Sequence, residues 1–182
     1  MPLFRPDEYY VSVLDIDLEA LAASGIKGVL LDLDNTLMPR DIEYVPENLS
    51  QWVEDVKAAG MVPVLLSNSF KDRVVNAAEQ LDVMLIGKAM KPLRRGYVES
   101  CEKLGMSKKE LVMVGDQTYT DILGAHLFGM RAILVTPLSK VDLVHTKVLR
   151  LLDKLFLVGM RPKGGEPAYT NGGDGVKGAK PL

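Results

Sequence analysis

Two aspartates set one residue apart, Asp32 and Asp34, close the apolar run Val29-Leu30-Leu31. That run, fed by Gly28, has the character of a buried parallel strand. An ionised carboxylate in a dry interior costs several kcal/mol unless it is paired or binds a metal. Side chains two apart on a strand point the same way, so both carboxylates converge where the strand leaves the core. Thr36, Ser67, Asn68, Lys91, Asp116 and Asp121 also fall at or just beyond the ends of apolar runs. Gathered into one site, these carboxylates repel unless a cation joins them. With no His or Cys among them the ligand set is all oxygen, which favours Mg²⁺ over zinc or copper. Lys91 adds a second positive charge, and Ser67 with nearby backbone N–H groups adds hydrogen-bond donors. Metal, lysine and hydroxyl donors together are equipment for phosphoryl transfer. One aspartate of the pair must then stay ionised and attack phosphorus, giving an aspartyl-phosphate. The other protonates the leaving oxygen and later activates water, worth ~10²–10⁴-fold in rate. That role needs a raised pKa, which partial burial beside Asp32 would give.

The elements that must position these residues alternate. Strands are predicted over residues 28–34, 61–66, 83–86, 111–114 and 131–135. Between them lie helices opened by Pro46 and stopped by Gly60, over residues 71–81, over 92–104 closed by Gly105, and over 120–128 stopped by Gly129. Leu49, Trp52, Val53 and Val56 form one apolar stripe. Ser107 and Glu110 have the capping-box pattern but room for one turn at most. The alternation predicts an α/β fold, a Rossmann-like three-layer α/β/α sandwich on a mostly parallel five-stranded sheet. Ligands then bind beyond the carboxyl ends of the strands, where every polar residue named above lies. Residues 3–24 are amphipathic and acidic and are expected to pack on the core edge.

Composition sets bounds. The chain has 182 residues and reads as a single domain over 1–160, with its core at 26–138. A net charge of −2 leaves no basic footprint for nucleic acid. The lone cysteine, Cys101, cannot form an internal disulfide and fits a reducing compartment. No run reaches the roughly 18 apolar residues of a membrane span, and residues 1–8 do not read as a signal peptide. The expected location is cytoplasmic, at most peripheral on a membrane surface. His126 and His145 are expected in packing or on the surface rather than as ligands.

Asp32-Leu33-Asp34-Asn35-Thr36, Ser67, Lys91-Pro92 and the stretch from Gly115-Asp116-Gln117 to Asp121 resemble, in order and spacing, the four motifs of the haloacid dehalogenase (HAD) phosphatase superfamily. The resemblance implies Asp32 as nucleophile and Asp34 as acid/base, with the Asp34 backbone carbonyl on Mg²⁺. It implies Lys91 as the lysine that offsets nucleophile and phosphate charge, in preference to Lys88. Thr36, Ser67, Asn68 and Lys91 become the phosphate-binding set. The metal set becomes Asp32, the Asp34 carbonyl, Asp116, and Asp121 directly or through water. The opening Pro6-Asp7-Glu8-Tyr9-Tyr10, Asp15-Ile16-Asp17 and Gly25-Ile26-Lys27-Gly28, with the motifs, resembles the YqeG-type, capless HAD-IIIA family. That family includes phosphatidylglycerophosphate phosphatases, so the implied substrate is a phosphate ester on a phospholipid head group.

Only a short loop fits between Thr36 and Pro46, and one helix and one strand fill the space between Ser67 and Lys91. No cap domain fits in either place, and an open site suits a bulky substrate: a lipid head group, a phosphoprotein or a nucleic-acid end. Val141, Val144, Val148, Leu151 and Leu155 predict an amphipathic helix near 140–158. Residues 140–163 carry six Lys/Arg and two Asp, a local +4, suited to peripheral membrane contact. The Gly-, Pro- and Lys-rich residues 163–182 are expected to form a disordered tail. A receiver-like signalling domain also uses an acidic Mg²⁺ pocket. Its pattern places a phosphoacceptor aspartate after the third strand and the lysine after the fifth, whereas here the third strand offers no aspartate and Lys91 comes before Asp116. Oligomeric state is not readable.

Overall fold

The computed structural model describes residues 3–39, 42–138 and 156–165. The predicted helix at 140–158 lies outside these residues save for its last three, the tail at 163–182 save for its first three, and His145 altogether.

Six parallel strands form one sheet in the order β1-β6-β5-β2-β3-β4. They are β1 (Glu8–Tyr10), β2 (Gly28–Leu31), β3 (Val62–Leu66), β4 (Met84–Ile86), β5 (Leu111–Gly115) and β6 (Arg131–Val135). The five expected strands are all present. The sixth, β1, comes from the segment expected only to pack on the core edge. It joins β6 in register Glu8↔Ile133 and Tyr10↔Val135. Its sequence Glu-Tyr-Tyr has no apolar run to announce a strand. It is held instead by side chains: Asp7 accepts from the Ala132 N–H at 2.8 Å and contacts His126 Nε2 at 3.0 Å.

Both faces of the sheet are covered, with the period-two alternation of buried strands. Val29, Leu31, Val112, Val114, Ile133 and Val135 face α2 (Glu47–Ala58) and α3 (Asp72–Gln80), which follow the short helix α1 (Leu18–Ala23). Leu30, Leu111, Met113, Ala132 and Leu134 face the opposite layer, with Tyr97 of α4 (Arg95–Leu104) and Ala125 of α5 (Leu123–Phe128). The α2 stripe is buried as expected. Pro46 stands one position before its predicted place, its carbonyl accepting from Leu49 and Ser50. The fourth helix starts at Arg95 rather than residue 92, after a cis Lys91–Pro92 bond. Ser107 and Glu110 close a single turn, Glu110 Oε2 accepting from both the Ser107 N–H and hydroxyl.

Strand β2 pairs with β3 on one side and β5 on the other. Chain direction across the sheet reverses there, so the crevice at the carboxyl ends of β2 and β5 is the switch point where such sheets bind ligands.

Candidate active site

Register alone assembles half the site. Leu31 pairs with Val114, so Asp32 emerges beside Gly115 and Asp116 one step further. The Asp32 N–H bonds the Val114 carbonyl at 2.9 Å, extending the ladder to the carboxylate. Asp121 arrives from a π-helical turn, Thr118–Ile122, where a continuous α-helix was expected. The wider turn carries its carboxylate back toward the sheet, where Oδ2 accepts the Gln117 N–H at 3.2 Å. Carboxylate oxygens of Asp32, Asp116 and Asp121 lie within 4.8 Å of one another, all three residues buried.

Gly115 makes this convergence possible. A Cβ there would overlap Asp121, 2.5 Å from its Cγ and closer still to Oδ2. Across the site, the Tyr97 hydroxyl donates to the Asp121 and Thr120 carbonyls at 3.2 and 3.3 Å, fixing the turn against α4.

Lys91 sits at the centre. Its Nζ is 2.6 Å from Asp32 Oδ1 and 2.8 Å from Asp121 Oδ1, with its side chain 2% exposed. Burial opposes its charge, but Asp121 and Asp32 outweigh that and hold the ammonium well above the usual lysine range. Burial pushes the Asp32 carboxyl up to about 7, against the lowering pull of Lys91 and with the Asp121 charge adding to the rise. Lys88, the rival lysine, is exposed and lies over the Phe70 ring, 5.9 Å from its centroid.

Three carboxylates against one ammonium leave an excess of two negative charges in a buried cluster. A divalent cation cancels it, and an all-oxygen donor set accepts a hard one. The residues present therefore fit the metal that HAD phosphatases use.

The structure sharpens the other expected positions. The Asn68 amide is bonded to the lysine loop: its Oδ1 accepts the Lys91 N–H at 2.6 Å and its Nδ2 donates to the Lys91 carbonyl at 3.0 Å. Both bonds position Lys91, and the second Nδ2 hydrogen is not used by them. The Ser67 Oγ accepts the Ser69 N–H at 3.1 Å, leaving its own hydrogen to donate. Thr36 is buried in the turn after Asp34, a turn that Asn35 closes at φ 63°. Asp34 is half-buried, and its Oδ1 is ion-paired with Arg73 Nη1.

Arg73 has no counterpart in the sequence analysis. It stands in the first turn of α3, and besides Asp34 it donates to the Pro39 carbonyl at 2.7 Å and to the Ile42 carbonyl at 3.2 Å. One guanidinium thus ties the acid/base candidate and the loop behind it to the helix following Ser67. Among the described residues, Asp34 and the cluster of Asp32, Asp116, Asp121 and Lys91 share one strand-end crevice.

Comparison with known proteins agrees with this geometry. Residues 88–137 match the HAD-hydrolase-like family model. The chain is 32% identical over 161 residues to a Bacillus subtilis protein described as "Probable phosphatase YqeG", covering 88% of this chain and 94% of that one. It is 32% identical over 179 residues to phosphatidylglycerophosphate phosphatase 1, chloroplastic/mitochondrial, of Arabidopsis thaliana, covering 84% of this chain but only 49% of that longer protein. The fold matches the cobalt-bound deoxy-D-mannose-octulosonate 8-phosphate phosphatase of Haemophilus influenzae, with TM-score 0.52 at 14% identity over 78% of this chain and 90% of that one. A strand-end carboxylate cluster around a buried lysine, on this sheet order and with a near-full-length relative of this kind, makes the chain a member of the YqeG-type HAD phosphatase family.

Proposed function

We propose that the protein is a Mg²⁺-dependent phosphomonoesterase that works through an aspartyl-phosphate and that its substrate is phosphatidylglycerophosphate. The observation that carries the chemistry is Lys91 bridging Asp32 and Asp121 beside Asp116. Asp32, Asp116 and Asp121, with the Asp34 carbonyl, would hold the cation. When bound, the cation supplies charge for a phosphate oxygen and lowers the cost of ionising Asp32. The side chains do the rest. An Asp32 carboxylate oxygen forms a bond to phosphorus as the ester P–O bond breaks, and Asp34 gives its proton to the departing alkoxide. Asp34 then takes a proton from water as that water's oxygen attacks phosphorus and releases Asp32. Lys91 and the Ser67 hydroxyl hold the phosphoryl oxygens, Thr36 steadies the Asp34 turn, and Asn68 holds Lys91 in place.

The substrate reading rests on two supports. Among the described residues no cap domain stands between Thr36 and Pro46 or between Ser67 and Lys91, and two relatives carry the name of this lipid phosphatase. A single domain over 1–160 belongs to the same proposal. Phosphate release from phosphatidylglycerophosphate and from soluble sugar phosphates, with and without Mg²⁺, tests it. Asp32→Asn is expected to abolish turnover while leaving the melting temperature near that of the parent. Undiminished activity of that variant would sink the mechanism, and preference for the sugar phosphates would sink the substrate.

A further inference from the structure

The two loops that deliver Ser67 and Lys91 also build an outward surface of unusual composition. Beyond β3 the loop presents Phe70, 56% exposed, followed by exposed Lys71. Beyond β4 the chain reads Gly87-Lys88-Ala89-Met90-Lys91-Pro92-Leu93-Arg94-Arg95, with four basic residues and no acidic one. The loop sorts them by direction. Ala89 and Lys91 turn inward and are buried, while Lys88, Met90, Leu93, Arg94 and Arg95 face solvent. Lys88 and Met90 accept left-handed backbone, φ 52° and 57°, within this arrangement. Left-handed φ is uncommon and costly for residues of this size, and such outliers concentrate at functional sites.

The apolar and basic groups are interleaved. Lys88 lies over the Phe70 ring and Arg95 Nη1 is 3.8 Å from Met90 Sδ. Met90 and Leu93 are 49% and 57% exposed. Behind Phe70 the surface continues into an open cavity of about 420 Å³ whose floor is apolar, Val75, Ala78, Val83 and Leu85, and whose lining also includes the acidic Glu79 and Asp82. The nearest acidic residue in sequence to these loops, Asp72, already belongs to α3. A chain of net charge −2 thus carries a basic, apolar-tipped lip beside its reactive carboxylates, with the acidic residues Asp72, Glu79 and Asp82 on the α3 side of Phe70.

Large exposed apolar side chains grouped at one mouth mark a contact surface. Basic residues around apolar tips complement an anionic lipid interface, where each Lys or Arg draws toward headgroup phosphates and the apolar tips enter the boundary. We propose that the Phe70–Lys71 and Lys88–Arg95 loops seat the mouth of the site on an anionic bilayer, with Phe70, Met90 and Leu93 inserted and Lys71, Lys88, Arg94 and Arg95 on lipid phosphates. The proposal deepens the lipid-substrate reading and rests on it for its biological purpose. It assigns docking to the catalytic end of the sheet, so that a phosphate held at the membrane surface meets Asp32 without leaving it.

The test compares full-length protein co-sedimenting with vesicles of phosphatidylcholine alone and of phosphatidylcholine mixed with phosphatidylglycerol. The parent is expected to bind the mixed vesicles and to release them as salt rises. Phe70→Ser with Leu93→Ser, and separately Lys88→Glu with Arg95→Glu, are expected to weaken binding about tenfold or more. Both variants should keep parental turnover of a soluble aryl phosphate, which shows that the fold and site survive. Parental binding by both variants, or equal binding of the parent to the two vesicle types, overturns the proposal. Failure of the parent to bind either vesicle also overturns it and turns the surface over to a protein partner. Hydrolysis of phosphatidylglycerophosphate in detergent micelles is scored separately. Its absence defeats the substrate reading whatever the vesicles show.

Discussion

Arg73 is the residue whose chemistry changes most once the fold is known. A general acid matters when the leaving group is a poor one, such as an alkoxide, and little when it is a stabilised aryl oxide. If Arg73 holds Asp34 at the leaving oxygen, Arg73→Ala should slow alkyl phosphate hydrolysis by up to ~10²-fold while barely touching aryl phosphates. A purely structural role would lower both equally, and steady-state rates on the two substrate types separate the outcomes. Arg73 was invisible to sequence reading for a physical reason. It sits on a helix whose apolar positions account for burial, so its own side chain defaults to solvent. Its partner Asp34 is 39 residues away. By contrast Asp32, Asp34, Lys91, Asp116 and Asp121 were legible because carboxylates and a lysine at the ends of buried strands are costly unless they serve each other. The resemblance places Asn68 among the phosphate-binding residues, and its tie to the lysine loop is not visible in one dimension. In space it grips the Lys91 main chain from both sides.

At the scale of elements, the close approach of β5 to the π-helical turn governs the site. Gly115→Ala places a methyl group where the Asp121 carboxylate lies. The turn must shift outward, so activity is expected to fall far more than stability. Turnover and thermal melts on the same sample check this. The five central strands were readable from their apolar runs, whereas the π turn was not, because an extra residue in one helical turn leaves the periodicity almost unchanged. The edge strand β1 depends on side-chain ties, and one of them titrates. The Asp7 hydrogen bond raises the His126 pKa above its ordinary 6.5. Burial favours neutral Asp7, but His126, the Ala132 N–H and Arg131 outweigh it and lower its pKa below 3.8. The stability that His126 contributes is therefore full below about pH 6.5 and lost as pH rises through its raised value. That of Asp7 is full above about pH 4 and lost as pH falls through its lowered value. The stability gap between the parent and Asp7→Asn should be widest between about pH 4 and 6.5 and narrow on either side, as followed by denaturant melts across pH. A gap that widens toward pH 8 would contradict the assignment.

At the scale of the molecule, the buried carboxylate cluster links cation binding to global stability. A ligand that binds only the folded state adds about 2.7 kcal/mol at a hundredfold excess over Kd, enough to raise the melting temperature of a chain this size by roughly 5–10 °C. Mg²⁺ is expected to produce such a rise in the parent, and Asp116→Asn to remove most of it. An unchanged shift in that variant would mean that the ion binds elsewhere. Sequence reading found the architecture because alternation of strand and helix is a whole-chain pattern, and it found the open mouth because the intervening loops are short. It could not foresee the basic lip. The basic run from Lys88 to Arg95 is contiguous, but which of its residues face solvent, and that Phe70 joins them, is settled only when the β3 and β4 loops are brought side by side.

The placement of β1 has a consequence in time as well as in space. Its register partners in β6 lie some 125 residues further along the chain, as the Asp7–Ala132 bond shows. On the ribosome β1 emerges before the other five strands and must wait, unpaired, until β6 has been made. The β2, β3 and β4 neighbours meet their partners much earlier. Non-local pairing of this kind is paid in loop-closure entropy before any contact rewards it. Strand β1 is thus the natural final latch of folding, and the same latch should be the first part of the sheet to exchange its amide hydrogens.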